Sequence, residues 1–394
     1  YLLPVRHSFV FNLCTALLST IAVLLFYLIC NKYKLNATAG ALMLAFTPVF
    51  YIQSTNAMDY NWSLCFLLAS LYFAGRRKIF LVAFMLALAT GCRITAILFI
   101  LPLCIYLYKA DKSWKHIRQL LFLTPILSTL CYLPLILKYQ LKFLTYVNQF
   151  GYPSVLKTIY KASFGVWGTL GFIVIVIAFG YALQNIIIGN QSRKYKPILL
   201  CAASTIIIYT LLFFYEPHKS AYLIPIIPFV FIIILIALQD KVWPVVITAS
   251  LATSCFFAGI NLAEPNRSAL PGKFALTRKV NNQRICFDPL SGNVVDDYAK
   301  RIQRIKYAES VIEKVQHLQG GNAVICGYWV NMISILSIGH LNEQITLLHY
   351  ADEQELIRLK NANMKIYYIP GQDSFNDVCF KSVFTHKWAK SLFP

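Results

Sequence analysis

Residues 221–238 read AYLIPIIPFVFIIILIAL, eighteen consecutive residues without a charged side chain. An apolar helix of about 20 residues is what crosses the hydrocarbon core of a bilayer. The whole chain agrees with this, because 58% of its 394 residues are hydrophobic and 13% are charged. A typical soluble domain has about 25% charged residues. The composition therefore excludes a purely soluble enzyme, a fibrous protein and a disordered protein.

Nine further segments have the same apolar character, so the sequence predicts a mainly α polytopic membrane domain with about ten transmembrane helices. The ten segments are 8–30, 37–54, 61–75, 79–91, 93–108, 119–137, 166–189, 197–215, 221–238 and 242–261. Two of them, 61–75 and 79–91, are short. Short spans are typical of broken or tilted helices around a cavity, where surrounding protein or water covers the non-helical backbone.

The distribution of acidic residues divides the chain in two. Residues 1–261 contain 20 basic and four acidic residues, a net charge of +16, whereas residues 262–394 contain 16 basic and twelve acidic residues. In the second part, predicted helices (294–318 and 353–360) alternate with predicted strands (323–326, 344–349 and 364–369). This order is typical of a small α/β domain with a mainly parallel sheet. We therefore predict a multipass transmembrane domain over residues 1–262 and a soluble α/β domain over residues 263–394.

The basic loops predict the orientation of the chain in the membrane. The loops at 31–34, 76–78, 109–118, 192–196 and 239–241 are basic and fall on one face if every predicted helix spans. By the positive-inside bias that face is cytoplasmic. The C-terminal domain is then extracytoplasmic, and we expect a multi-pass protein of a bacterial inner membrane or, alternatively, of the endoplasmic reticulum. The net charge of +20 thus reflects membrane loops and lipid partners, and nucleic-acid binding is not expected.

Acidic side chains are so scarce in the membrane part that two of them stand out as candidate catalytic residues. Asp59 and Glu216 are the two predicted to face outward, and an ionisable group at membrane depth is costly and usually functional. The alternative for Asp59 is a plain helix N-cap, since aspartate is a favoured cap.

Four other residues are candidates for binding a phosphate at the same face. They are Arg93, His218, Lys219 and Tyr222. Arginine forms a fork onto phosphate, and lysine and histidine offer donors that carry positive charge. Two of these residues also have a structural alternative. Lys219 would be a snorkelling residue at a helix end, and Arg93 would form a structural ion pair with Asp59. The cysteines and histidines have no metal-ligand spacing, so no metal site is predicted, and a requirement for a divalent metal is left open.

These residues carry a resemblance to a known superfamily. The pattern includes Leu44-Ala45-Phe46-Thr47-Pro48 leading to Asp59, the run Leu88-Ala89-Thr90-Gly91-Cys92-Arg93, and Lys219 before Tyr222-Leu223-Ile224-Pro225. This order, over about residues 1–240, resembles the GT-C glycosyltransferases that use polyprenyl-phosphate sugars. It is most similar to the protein O-mannosyltransferase and aminoarabinose-transferase-like group of bacterial membrane proteins. The motifs are short, and they identify the superfamily better than the substrate.

The resemblance implies a GT-C-like fold and the transfer of a sugar from a polyprenyl-phosphate donor to a lipid, glycan or protein acceptor, with no tightly bound cofactor. Asp59 matches the second acidic position of that family, and Lys219 with His218 matches its basic position. The family's primary base lies in a first outward loop, and no acid precedes Asp59 here, so we expect that base in a segment before Tyr1. The alternatives are a transporter or flippase, a polymerase or ligase of lipid-linked saccharides, and a non-catalytic membrane scaffold.

Overall fold

The computed structural model of the chain describes residues 8–56, 58–139, 152–188, 192–238, 242–263, 275–280, 283–318, 320–337, 344–349, 351, 353–369 and 390–392. The described part of the first 256 residues is helical apart from its connections. Its helices are α1 (Ser8–Lys32), α2 (Ala37–Ala45), α3 (Pro48–Ser54), α4 (Tyr60–Ala74), α5 (Ile79–Cys92), α6 (Ile100–Asp111), α7 (Trp114–Tyr139), α8 (Val155–Ala162), α9 (Phe164–Trp167), α10 (Thr169–Ile188), α11 (Ser192–Tyr215), α12 (Ile227–Ala237) and α13 (Val242–Phe256). Two 3-10 segments, Ile94–Phe99 and Ser220–Ile226, lead into α6 and α12.

Six stretches of the described helices are long and apolar enough to cross a membrane. They are Phe9–Lys32, Ile94–Asp111, Trp114–Lys138, Thr169–Ile187, Lys194–Tyr215 and Ser220–Ala237. The prediction of about ten transmembrane helices is therefore not confirmed, although each of the ten apolar segments contains a helix. Helices α4, α5 and α13 have 14 or 15 residues. At 1.5 Å per residue, they reach about 22 Å, short of a hydrocarbon core of about 30 Å.

The predicted span 37–54 is a broken helix. Helices α2 and α3 are bent by 69°, and as one broken span they would make a seventh crossing. Pro48 is the first residue of α3, and Thr47 before it is extended. Proline favours the first helical position and disfavours helical geometry in the residue that precedes it. The break therefore follows from the local sequence, and it directs α3 towards the loop that leads to Asp59.

Helix α12 forms the centre of the membrane part. In the span that contains it, 78% of the residues are buried inside the protein, against 17–33% in the other five spans. Those other spans expose large apolar side chains such as Phe122 and Leu211. An exposed apolar surface on this scale is expected of a protein whose outer face meets lipid. The chain is thus a multi-pass membrane protein.

The C-terminal region is built from helices and two sheets. Its helices are α14 (Asn293–Gln316), α15 (Val330–Leu336) and α16 (Glu353–Asn361), and its strands are β1 (Gly259–Ala263), β2 (Leu276–Val280), β3 (Gln283–Asp288), β4 (Asn322–Ile325), β5 (Ile345–Leu348), β6 (Lys365–Tyr368) and β7 (Lys390–Ser391). The second sheet is parallel with strand order β5-β4-β6-β7. The two helices and three strands predicted here are confirmed, and so is the parallel pairing.

The first sheet, which the sequence did not predict, joins the two parts of the chain. It is antiparallel with strand order β1-β3-β2. A two-residue connection separates α13 from strand β1. Strand β1 pairs with β3 from Gly259 opposite Asp288 to Ala263 opposite Arg284. The predicted boundary between residues 262 and 263 falls inside β1. The division into two domains stays a prediction.

The candidate residues and the C-terminal region lie at the same end of the helical bundle. Helix α14 packs against α3 and α13 near the start of α4, where Asp59 is located. The basic loop after α4 lies at the other end, where the Arg77 guanidinium pairs with the Asp111 carboxylate at 2.6 Å. The structure contains no bilayer, so which end faces the cytoplasm stays a prediction.

Candidate functional site

Three breaks between helices bring the candidate residues together. Asp59 precedes α4, Arg93 separates α5 from a 3-10 segment, and Glu216 follows the last residue of α11. Arg93 and Lys219 are both extended, and each precedes a 3-10 segment. The helices therefore stop where polar residues occur, and these residues meet at one end of the bundle.

Arg93 and Asp59 form an ion pair. Nη1 of Arg93 donates a hydrogen bond to Oδ1 of Asp59 at 3.2 Å, and the two side chains are 22% and 44% exposed. Asp59 occupies the N-cap position of α4, but its side chain makes no capping hydrogen bond. The interpretation of Asp59 as a plain cap is therefore not supported, whereas the alternative in which Arg93 pairs with Asp59 agrees with the structure.

Two tyrosines surround the guanidinium group of Arg93. Its Cζ atom lies 4.2 Å from the ring centroid of Tyr60 and 5.0 Å from that of Tyr222. The two ring centroids are 6.0 Å apart. A cation within about 6 Å of an aromatic ring is attracted by the negative face of the ring. The rings and Asp59 together fix the position of Arg93, and a fixed cation needs little reorganisation to bind an anion.

A cleft opens beside Arg93. It encloses about 550 Å³ of space continuous with solvent, and its polar lining residues include Tyr60, Ser63, Arg93, Tyr209, Glu216 and Tyr222. Tyr209 is 2% exposed, and its hydroxyl donates to the carbonyl oxygen of Thr95 at 3.4 Å.

Glu216 places a carboxyl group on the wall of the cleft. Burial raises the pKa of Glu216 above its usual range, and the positive charge of Arg93 opposes this shift. A raised pKa makes a carboxylate a better proton acceptor than one that is fully in water. The cleft thus combines a fixed cation with a carboxyl group whose pKa is raised by burial.

His218 and Lys219 do not line this cleft. They belong to a second group of residues, the basic patch, made up of Lys157, Lys161, His218 and Lys219. Nζ of Lys161, on α8, donates hydrogen bonds to the carbonyl oxygens of Pro217 at 3.2 Å and His218 at 2.6 Å. Burial, and then the charges of the three lysines, lower the pKa of His218. At neutral pH, His218 is therefore an uncharged donor or acceptor, and the lysines supply the charge.

Helix α8 gives the basic patch an apolar flank. Val155 and Ile159 on this helix are 73% and 55% exposed. In the sequence, the loop 138–165 alternates lysines with aromatic residues, which predicts a helix lying in the membrane interface or, alternatively, a wall of a substrate groove. The exposed apolar residues and lysines of α8 fit the interfacial helix. Residues 140–151 of that loop lie outside the described residues.

The structure places Arg93, Glu216 and Tyr222 on the wall of one cleft, pairs Asp59 with Arg93 beside it, and places His218 and Lys219 in the adjoining basic patch. Sequence reasoning missed Tyr60 and Tyr209. Tyr60 directly follows Asp59, a signal that was available, whereas Tyr209 lies inside an apolar helix and has no local signal. Within the described ranges, no group of three metal-ligating side chains occurs. The catalytic and phosphate-binding roles stay predictions.

The fold and the site define a multi-pass membrane protein with a polar cleft at one end of its helical bundle. The sequence pattern of the EpsG family matches residues 1–271, and the chain belongs to this family. The family is associated with the transfer or polymerisation of saccharides. No curated protein and no solved structure shows significant similarity to the chain.

Proposed function

We propose that the protein is a glycosyltransferase that moves a saccharide from a polyprenyl-phosphate donor to an acceptor at the outer face of a bacterial inner membrane. The acceptor is a lipid, a glycan or a protein. The observation that carries the proposal is the cleft lined by Arg93 and Glu216, with Asp59 paired to Arg93 beside it. Membership of a family associated with saccharide transfer supports it, as does the resemblance to GT-C enzymes at these residues.

The proposed reaction needs a base, a way to orient the sugar and a cation. The acceptor hydroxyl oxygen attacks the anomeric carbon, and the bond from that carbon to the phosphate oxygen breaks. Glu216 accepts the hydroxyl proton in the described part of the site, and its raised pKa suits this role. Asp59 orients the reacting head group.

Arg93 stabilises the charge that develops on the leaving phosphate. Its guanidinium is already held by Asp59 and by the rings of Tyr60 and Tyr222. A preorganised cation contributes most where negative charge increases in the transition state. The hydroxyl of Tyr222 lines the same cleft and offers a further donor. Lipid-linked donors need no nucleotide-binding motif, and the lipid anchor itself keeps the donor at the membrane.

The basic patch gives the donor a second point of attachment. Lys219 is exposed next to the cleft, and the charges of Lys157 and Lys161 lie close enough to influence His218. The exposed apolar residues of α8 would contact lipid chains while the lysines contact phosphate, as in other interfacial helices.

A second candidate is a polymerase that joins two lipid-linked saccharides. The family match favours it, because the family is associated with polymerisation as well as transfer. In such a reaction, donor and acceptor both carry a lipid phosphate, and two cationic positions are needed. Arg93 in the cleft and Lys219 in the basic patch are two such positions.

Transfer by the purified full chain in lipid vesicles tests both candidates. The vesicles contain one member of a panel of radiolabelled polyprenyl-phosphate and polyprenyl-diphosphate saccharides, and the products are separated by size. A single added saccharide supports the transferase, and a ladder of lengths supports the polymerase. Movement of the label across the bilayer without a new glycosidic bond, or no product from any donor, contradicts both.

A further inference from the structure

The first three turns of α14 contact the membrane part close to the loop that carries Asp59. Nη2 of Arg301 donates to the carbonyl oxygen of Ile52 at 2.9 Å, and Nη1 donates to Oγ1 of Thr55 at 3.3 Å. Nε of Arg301 pairs with Oδ2 of Asp297 at 2.5 Å, one turn earlier on α14. All three nitrogens of the guanidinium group are therefore engaged, and two of them bind a segment about 250 residues earlier in the chain.

This contact satisfies the end of a helix. Helix α3 ends at Ser54, and the carbonyl groups in the last turn of a helix have no partner within that helix. Arginine side chains near a helix end can bind these carbonyls. The Thr55 hydroxyl also donates to the Ile52 carbonyl at 3.3 Å. Arg301, Thr55 and Ile52 thus form a closed set of hydrogen bonds that fixes the end of α3.

The loop to Asp59 is held at its other end by a buried asparagine. Asn61 is fully buried, and its amide nitrogen donates to Oγ of Ser19 at 2.9 Å and to the carbonyl oxygen of Phe50 at 3.1 Å. Four residue steps separate Thr55 from Asp59, a reach of at most about 14 Å. With Thr55 and Asn61 fixed, the position of the Asp59 carboxylate depends on both attachments.

Helix α14 also contacts α9, which packs against the 3-10 segment that contains Tyr222. Nδ2 of Asn293 donates to the carbonyl oxygen of Phe164 at 2.8 Å. The next residue, Gly165, lies so close to Ser220 that a Cβ atom there would approach its Oγ to 2.3 Å. Ser220 begins the 3-10 segment that contains Tyr222. One helix of the C-terminal region therefore holds segments leading to both Asp59 and Tyr222.

We infer that Arg301 is a positioning residue for the candidate site, through which α14 holds the loop leading to Asp59 and couples the C-terminal region to the cleft. The effect on turnover rests on the proposed function, whereas the effect on the loop does not. Arg301 touches neither the cleft nor the proposed donor, so it acts only through the position of the loop.

The test compares Arg301→Gln with Arg304→Gln in the full chain. Arg304 is exposed one turn further along α14, and its substitution removes the same charge. Hydrogen exchange of the amides in residues 55–60 is measured in lipid nanodiscs, together with the melting temperature. A hydrogen bond to a charged group is worth on the order of tenfold in an opening equilibrium. We expect exchange about tenfold faster in Arg301→Gln, wild-type exchange in Arg304→Gln and a melting temperature within about 2 °C for both.

Measurements of kcat and the donor KM then distinguish a positioning role of Arg301 from a general loss of stability. Arg301→Gln should lower kcat about tenfold and leave the donor KM within about threefold, because the phosphate-binding cations stay in place. Arg301→Lys should recover part of the loss, since a lysine can still reach one of the two acceptors. Unchanged exchange in Arg301→Gln, or equal effects of both glutamine variants, would overturn the inference. Faster exchange in Arg301→Gln with wild-type kcat would overturn it as well. If the wild-type protein transfers no saccharide but exchange is still faster in Arg301→Gln, the proposed function is overturned and the coupling is supported.

Discussion

Asp59→Asn separates a site carboxylate from a structural ion pair. The substitution keeps the shape of the side chain but removes the charge that faces Arg93. Asp59 makes no capping hydrogen bond, and its side chain is 44% exposed, so the pair with Arg93 contributes at most about 1 kcal/mol to stability. A structural role therefore predicts a small loss of stability and little loss of turnover.

A site role predicts a much larger effect on the rate. Groups positioned for acid–base or orienting work typically contribute about 100-fold or more, which corresponds to about 2.7 kcal/mol in the activation free energy. This exceeds what the exposed ion pair contributes to stability, so the two interpretations give separate results. The assay is the initial rate of saccharide transfer against donor concentration, in full-length protein of verified expression and melting temperature.

Asp111→Asn is the matched control for this experiment. Asp111 pairs with Arg77 at the opposite end of the bundle, and its substitution should leave turnover within about twofold. If Asp59 acts by holding Arg93, the double variant with Arg93→Gln should be hardly slower than Arg93→Gln alone. Turnover of Asp59→Asn within about threefold of the wild type would refute the site role and leave only the ion pair.

The remaining predictions concern the basic patch, the pH dependence and the orientation of the chain. Lys219→Ala should raise the donor KM about tenfold with kcat nearly unchanged, and Lys219→Arg should restore part of it; an unchanged KM would remove Lys219 from donor binding. The rate should fall at low pH as Glu216 is protonated, at a pH above the usual glutamate range because burial raises its pKa. Arg93→Gln should move this fall to still higher pH, since it removes a charge that favours the carboxylate; a fall at the same pH would assign it to another group. A reporter active only outside the cytoplasm should be active when fused after Pro394, and activity of a cytoplasm-only reporter there would reverse the orientation.

The helices and the parallel sheet could be predicted because their signals are local. Continuous apolar runs predicted the long helices in the described membrane part, but not the short helices α8 and α9. The alternation of helix and strand after residue 290 predicted the sheet that contains β4. The number of spans was not predictable in the same way. Apolar character gave ten segments, but α4, α5 and α13 are too short, and the proline at position 48 divides α2 from α3.

The grouping of site residues was predictable in part, because polar residues at helix ends on one side of a bundle must lie at the same end. Asp59, Arg93 and Glu216 follow this rule. Tyr209 does not, since it lies within an apolar helix and only packing directs it to the cleft. The β1–β3 pairing and the contact of Arg301 with Ile52 join segments that are separated in sequence. Local sequence patterns carry no information about such contacts.

The short connection between α13 and β1 limits the height of the C-terminal region above the membrane. Two residues separate the end of α13 at Phe256 from Gly259, which allows a rise of at most about 10 Å. This is close to the thickness of one layer of lipid headgroups, which is about 6–8 Å. Strand β1 is hydrogen-bonded to β3 along its whole length, so the whole sheet stays close to the end of α13. Where α13 ends at the bilayer surface, the sheet therefore stands at the level of the headgroups. The lipid composition of that leaflet then forms part of the surroundings in which the cleft receives its ligands.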